Sequence, residues 1–219
     1  MTRVVLASAS PARRALLRAA GIEPEVVVSG VDEDALEDAL AAEGRTSPAE
    51  LCVALAEAKG SAVATGLRDA GTGQDAVVVS CDSVLDLDGV ALGKPDDADD
   101  AVNRWRAMRG RTGVLRTGHF VTRLDRWGER PATGPASVSA VASTLVLFAD
   151  LDDATIDAYV ATGEPLHVAG AFTLDGLGGP FVERIDGDPA NVVGLSLPLV
   201  RRMLADLGVR WTDLWTPRS

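Results

Sequence analysis

The chain has 219 residues, 47% hydrophobic and 24% charged, a composition that supports a sizeable core and excludes global disorder. Its 21 Lys and Arg against 32 Asp and Glu give a formal net charge of −11. That balance excludes a broad electrostatic surface for duplex DNA or anionic lipid, while leaving room for a local basic pocket.

Cys52 and Cys81 are too few for a disulfide scaffold, and His119 and His167 are too few for a His-rich metal centre. Both cysteines read as core residues and both histidines as structural ones. The N-terminus runs straight into a strand pattern without a signal-peptide h-region, and no run of about 18 apolar residues is present. The expectation is a soluble, cytoplasmic protein.

In chain order, Arg3 to Ala7 predicts a short strand, and Ser10-Pro11 a capped helix start, with Gly21 closing that helix. Val26 to Val28 reads as a second strand, and Asp32-Glu33-Asp34 leads into a helix to about Glu43. Ser47 and Glu50 stand at capping-box spacing before a third helix, whose apolar face is read as Leu51, Leu55 and Ala58. Asp69 to Asp75 is a glycine-bearing loop. Ala76 to Leu85 predicts a buried strand, Asp88-Gly89 a hairpin turn, and Asp96 or Asp97 the cap of a helix through Trp105 and Met108. Strands follow at Val114–Leu124 and Val138–Phe148, with a hairpin tip at Asp125–Gly134 between them. A helix over Asp152–Ala161, a five-glycine loop from Gly163 to Gly179, a strand at Phe181–Ile185 and a helix over Leu197–Leu207 complete the pattern. The alternation predicts an α/β fold with a mixed sheet, one domain over residues 1–219.

Two places carry candidate chemistry. The strand–helix junction Ser8-Ala9-Ser10-Pro11-Ala12-Arg13 offers a helix N-terminus to an anion, and a phosphate would neutralise an arginine set against the helix dipole. Asp82, in Ser80-Cys81-Asp82-Ser83 within an apolar strand, is costly to bury without work to do, and suits a general base or metal ligand. Asp86-Leu87-Asp88-Gly89-Val90 is similar to the aspartyl-phosphate motif of haloacid-dehalogenase phosphatases, with Asp86 as nucleophile, but is as easily a hairpin. Gly93-Lys94-Pro95 is not a Walker A loop, since proline stands at the magnesium-binding Ser/Thr. Lys94 remains a candidate phosphate cation, while Lys59 reads more readily as a solvated charge near a helix end.

Together these segments resemble the Maf family of nucleoside triphosphate pyrophosphatases. The resemblance rests on Leu6–Arg14, Cys81-Asp82-Ser83, Gly93-Lys94-Pro95, Met108–Gly113, Tyr159–Leu166, Ala169–Gly179 and Asn191–Leu195, all in family order. It implies a two-lobed α/β fold with a central cleft, often dimeric. The implied activity is hydrolysis of a standard or non-standard nucleoside triphosphate to its monophosphate and pyrophosphate, with a divalent cation, Mg²⁺ or Mn²⁺. The family's proton acceptor falls on Asp82, its loop serine and phosphate-facing arginine on Ser8 and Arg13, and its phosphate-binding lysines on Lys59 and Lys94. Its acidic position after the second strand falls on Asp32 or Glu33, with Glu33 taken beside Asp82 as a metal ligand. Base-preference positions fall on Ala12, Ser83 and Asp175. Here the sequence departs from the common pattern, with Ala12 and Ala15 for arginine and glutamate and Asp175 for glutamine, so pyrimidine preference does not carry over. The S-P-x-R-R-A-L-L form looks more like members acting on 7-methyl-GTP. The family is also linked to arrest of cell division, which sets a septum-formation inhibitor acting by binding beside the enzyme reading.

Overall fold

The computed structural model of the chain describes residues 2–124 and 136–216, so the hairpin tip expected at Asp125–Gly134 lies outside the described residues. In chain order the elements are β1 (Arg3–Leu6), α1 (Pro11–Ala19), β2 (Glu25–Val26), α2 (Glu33–Ala42), α3 (Pro48–Asp69), β3 (Ala76–Leu87), β4 (Val90–Leu92) and α4 (Ala98–Met108). After them come β5 (Thr112–Leu124), β6 (Ser137–Phe148), α5 (Asp153–Ala161), β7 (Val182–Asp186), α6 (Pro189–Val193) and α7 (Leu197–Asp206). Short 3₁₀ turns at Glu164–His167, Ala169–Ala171 and Gly179–Phe181 occupy the glycine segment, and another follows α7 at Trp211–Leu214. The second strand is shorter than Val26–Val28 predicts, and α6 had no signal beyond Asp188-Pro189, a cap and a first-turn proline.

The strands form one seven-stranded mixed sheet, ordered β2-β1-β3-β5-β6-β7, with β4 also paired to β3. β1 is parallel to both β2 and β3, and the remaining pairs are antiparallel. No helix among the described residues is long and apolar enough to cross a membrane.

The two faces of β3 show how the lobes are divided. Side chains alternate along a strand, and on one face Val77, Val79 and Cys81 join the cluster beneath α1 and α7, with Leu17, Val200 and Met203. Farther along that face, Leu85 and Leu87 join a second cluster with Trp105, Met108, Phe148 and Tyr159. Ser83 lies between the two. On the opposite face Val78 packs beneath α3 with Val63, Ala64 and Leu67. The fold is therefore two-lobed, with β3, β5 and β6 running through both lobes and a polar seam where the clusters part. Full burial of a large side chain such as Trp105 contributes about 1.5–3 kcal/mol, and its indole N–H is satisfied by the Ala171 carbonyl at 2.7 Å.

Where the seam meets the edge of β3 there is a notch. Pairing with β1 stops at Leu6 opposite Val79, and pairing with β4 starts at Leu85 opposite Leu92. Between them, residues 80–84 have no strand partner on that edge. β1 leads through α1 to β2 on one side, while β3 lies on its other side, so the notch opens at a switch point of the parallel strands, the usual ligand crevice of an open α/β sheet.

Candidate active site

One bank of the notch is the β1–α1 junction. Ser10 caps α1 by accepting from the Arg13 amide at 3.3 Å, and Ser8 Oγ accepts from the Ser10 amide at 3.2 Å. Arg13 then reaches across the bare edge of β3. Its Nε donates to the Gly194 carbonyl at 2.8 Å, Nη1 to Ser8 Oγ at 3.1 Å and the Cys81 carbonyl at 2.6 Å, and Nη2 to Ser83 Oγ at 3.1 Å. Four of the five guanidinium N–H groups are thus engaged, leaving one on Nη2.

Ser83 continues the chain of donors to Thr117 Oγ1 at 2.9 Å, and Thr117 donates to the Asn191 carbonyl at 3.2 Å. Asn191 and Gly194 both belong to the α6 turn, where Gly194 adopts φ 119, a left-handed conformation that favours glycine. Arg13 is therefore as much a clamp holding the notch together as a cation facing it. Arg14 points away and pairs with Glu23 at 2.9 Å, and Ala12 is half-buried in the first turn.

The opposite face of β3 presents Asp82. Its Oδ1 accepts from Lys59 Nζ at 2.7 Å, and the same ammonium lies 2.7 Å from Glu33 Oε2. Lys59 and Asp82 are 12% and 14% exposed, so this is a shielded pair and not the solvated helix-end charge the sequence suggests. Lys59 stands in the middle of α3, next to Gly60, whose missing side chain admits Phe120 and Ser80. Ser80 donates to the α3 carbonyl of Ala56 at 2.6 Å, and Gly118, opposite Asp82 on β5, leaves room for the Cys52 carbonyl. Those contacts press α3 against the sheet and set Lys59 over Asp82. They also rotate the helix, so its buried face is Cys52, Leu55, Ala56, Val63, Ala64 and Leu67, while Leu51 and Ala58 are only half-buried.

Of the two acids offered after the second strand, Asp32 caps α2 by accepting from the Ala35 amide at 3.0 Å, and Glu33 is the one at Lys59. Glu37, one turn on, was not singled out by the sequence reading. Burial, with the charges of Asp82, Asp34 and Glu33 adding, pushes its carboxyl above the ordinary range. The signal was its i, i+4 spacing from Glu33, which puts both on one helix face. Among the described residues, no group of three or more His, Cys, Asp or Glu converges tightly enough to hold a metal ion by itself. Two carboxylates converging on one cationic point do fit a divalent ion that arrives with a triphosphate, since Mg²⁺ takes one or two carboxylates plus phosphate oxygens.

Lys94 is exposed at the other bank, just past β4. Extending the register of Leu85 opposite Leu92 by two residues brings it level with Ser83, although strand pairing has ended. It has no ion-pair partner among the described residues. Neighbouring Gly93 accepts from the Gly170 amide at 2.9 Å and from Arg104 Nη1 at 2.7 Å, which ties this bank to the glycine segment.

Asp86 is fully committed elsewhere, one oxygen accepting from the Gly89 amide at 2.8 Å and the other from Arg116 Nε at 2.7 Å. It braces the β3–β4 hairpin, where Asp88 and Gly89 take the positive φ of 55 and 87 that a tight turn demands. Cys52 and Cys81 are buried, and burial pushes both thiols up to about 12, well away from reactivity. His119 is buried at the seam, its Nε2 accepting from the Ser196 amide at 2.9 Å, which leaves Nδ1 to donate to the Thr117 carbonyl at 2.9 Å. His167 is exposed.

Asp175 is exposed near Gly176 and Leu177, with no hydrogen bond to another described side chain. The stretch around it is held by Glu164, a residue that sequence reasoning left without a role. Burial pushes that carboxyl upward, but hydrogen bonds from Thr173, Leu177, Gly178 and Tyr159 outweigh it and hold Glu164 below the ordinary range.

Comparison with known proteins gives this arrangement a family. The profile described as Maf-like protein matches residues 3–207. A Streptomyces avermitilis protein named nucleoside triphosphate pyrophosphatase is 58% identical over 217 residues, covering 99% of this chain and 96% of its own. Proteins of the same name from Streptomyces coelicolor and Salinispora tropica are 59% and 56% identical, each over 98% of this chain and over 95% and 88% of their own. With residues 3–207 matched and identity above one half along nearly the full length, the chain belongs to the Maf-like protein family.

Proposed function

We infer that the protein is a nucleoside triphosphate pyrophosphatase, cleaving its substrate between the α- and β-phosphates. The observation that carries the reading is Asp82, a shielded carboxylate at the notch, held through one oxygen by Lys59. Asp82 Oδ2, with no described partner, accepts a proton from water as that water attacks the α-phosphorus. The α–β anhydride bond breaks, and pyrophosphate leaves with the bonding electron pair. Lys59 and Glu33 fix the base in orientation. The triphosphate lies along the notch, against Ser8 and the N-terminus of α1, the remaining Nη2–H of Arg13, and Lys94. A divalent cation brought with the substrate would be held by Asp82 and Glu33, and would neutralise charge on the phosphates.

Asp175 supports a guanine-type preference. A carboxylate only accepts hydrogen bonds, which suits the N–H groups on the Watson–Crick edge of guanine or 7-methylguanine and opposes the carbonyls of uracil and thymine. The phosphatase reading is not favoured, because both Asp86 oxygens are occupied. A purely binding role gives Asp82 and its lysine nothing to do.

The test is product identification after incubating the protein with 7-methyl-GTP, GTP, UTP and dTTP in the presence of Mg²⁺ or Mn²⁺. Monophosphate and pyrophosphate in equal amounts are expected. Diphosphate and orthophosphate as primary products would overturn the reading.

A further inference from the structure

We propose that Glu164 is a positioning residue for base discrimination, acting as the internal tether of the loop that carries Asp175; this rests on the reading that Asp175 meets the base. The Glu164 carboxylate receives hydrogen bonds from both sides of that loop. On the approaching side, Oε1 accepts from the Thr173 hydroxyl, and the Tyr159 hydroxyl of α5 donates to the same oxygen at 3.1 Å. On the departing side, Oε1 accepts from the Gly178 amide at 3.1 Å and Oε2 from the Leu177 amide at 3.0 Å. Asp175 lies between these attachments. Its own carboxylate is exposed and has no described side-chain partner, so its position is set by the tether and not by its own contacts.

The packing around the tether is close. A Cβ on Gly176 would lie 2.6 Å from Glu164 Oε2, and one on Gly178 would collide with the Tyr159 hydroxyl. Tyr159 itself is 3% exposed and receives the Thr173 amide at 3.2 Å, so the tether is rooted in the core of the second lobe. Phe172, immediately before the loop, packs edge-on against Phe148 at 4.9 Å. The loop is thus fixed at its root by aromatic packing, and across its middle by one carboxylate.

Glutamine cannot replace this group. An ionised carboxylate is acceptor-only, and every partner of Glu164 is a donor. Turned either way, an amide would set its NH₂ against at least one N–H or O–H. Glu164→Gln therefore frees the loop without adding bulk.

The experiment compares wild type, Glu164→Gln, Thr173→Val and Asp175→Gln in two measurements. One is kcat and KM for GTP and UTP, and the other is amide exchange in the peptide spanning residues 173–179. For Glu164→Gln we expect exchange at least tenfold faster. The GTP:UTP ratio of kcat/KM should fall at least fivefold through KM, with kcat within about threefold of wild type. Thr173→Val, which removes one tether bond, should shift both readouts in the same direction by less, and it carries the test if Glu164→Gln does not fold. Fast exchange with an unchanged ratio, or an equal loss of kcat on both substrates, overturns the proposal. If Asp175→Gln alone alters the ratio, the tether fails and the reading of Asp175 stands. If neither variant alters it, both fall together while pyrophosphate release remains intact.

Discussion

At the scale of single residues, the site is built from groups that hold one another before any ligand arrives. Asp82 has one oxygen fixed by Lys59 and no described partner on the other, so replacing the carboxylate by an amide keeps the shape and removes the base proposed above. Asp82→Asn should fold as wild type and lose roughly 10²–10⁴ in kcat, the usual range for a general base. Steady-state turnover with matched circular dichroism measures this, and a variant within a few-fold of wild type would remove Asp82 from the chemistry. Asp82 was legible as a candidate because an acid inside Val-Val-Val-Ser-Cys-Asp-Ser-Val needs a reason. Local pattern put Lys59 in solvent, whereas the resemblance put it at the site; its shielding depends on how closely α3 approaches the sheet, which periodicity does not encode. Glu164 lay inside the matched stretch Tyr159–Leu166 without a role of its own, since half of its donors are backbone amides supplied by the fold.

At the scale of elements, the helix starts were the most legible feature. Ser10-Pro11, Ser47-Pro48 and Asp97 cap the helices as the local chemistry dictates. What local chemistry does not reveal is the contact between α3 and β5. Leu51 and Ala58 satisfy a helical spacing, yet the helix turns a different face inward because Gly118 lets the backbone at Cys52 come down onto the strand. Gly118→Ala puts a methyl into that backbone contact, where no flexible side chain can yield. We expect a loss of about 1–3 kcal/mol in urea denaturation, as for other overpacked cores, with a fall in turnover as Lys59 is lifted from Asp82. A loss below about 0.5 kcal/mol would mean that α3 shifts freely on the sheet.

At the scale of the whole molecule, the polar seam couples stability to acidity through His119. Burial, chiefly, brings this histidine from its ordinary value of 6.5 down to about 4, with Arg13 adding and the Thr117 carbonyl opposing. The unfolded chain therefore takes up a proton near pH 6.5 that the folded protein refuses until near pH 4, so stability is full above that window and falls as pH drops through it. At about 1.4 kcal/mol per pKa unit, the shift amounts to roughly 3 kcal/mol across the window. Urea midpoints at pH 7 and pH 5 should fall for wild type, and His119→Asn should lose about 2 kcal/mol less between them. Equal losses would mean that other groups carry the acid sensitivity.

The three long strands have a mechanical consequence as well. A hinge between the lobes would have to bend β3, β5 and β6 together, and their pairing is unbroken from Ala76 opposite Leu124 to Asp86 opposite Val114, and from Thr112 opposite Leu147 to Thr122 opposite Ser137. Clamshell closure is therefore denied to this enzyme. The freedom to admit a nucleotide and release two products falls to exposed side chains at the notch, Lys94 among them, which ride on a frame that stays still.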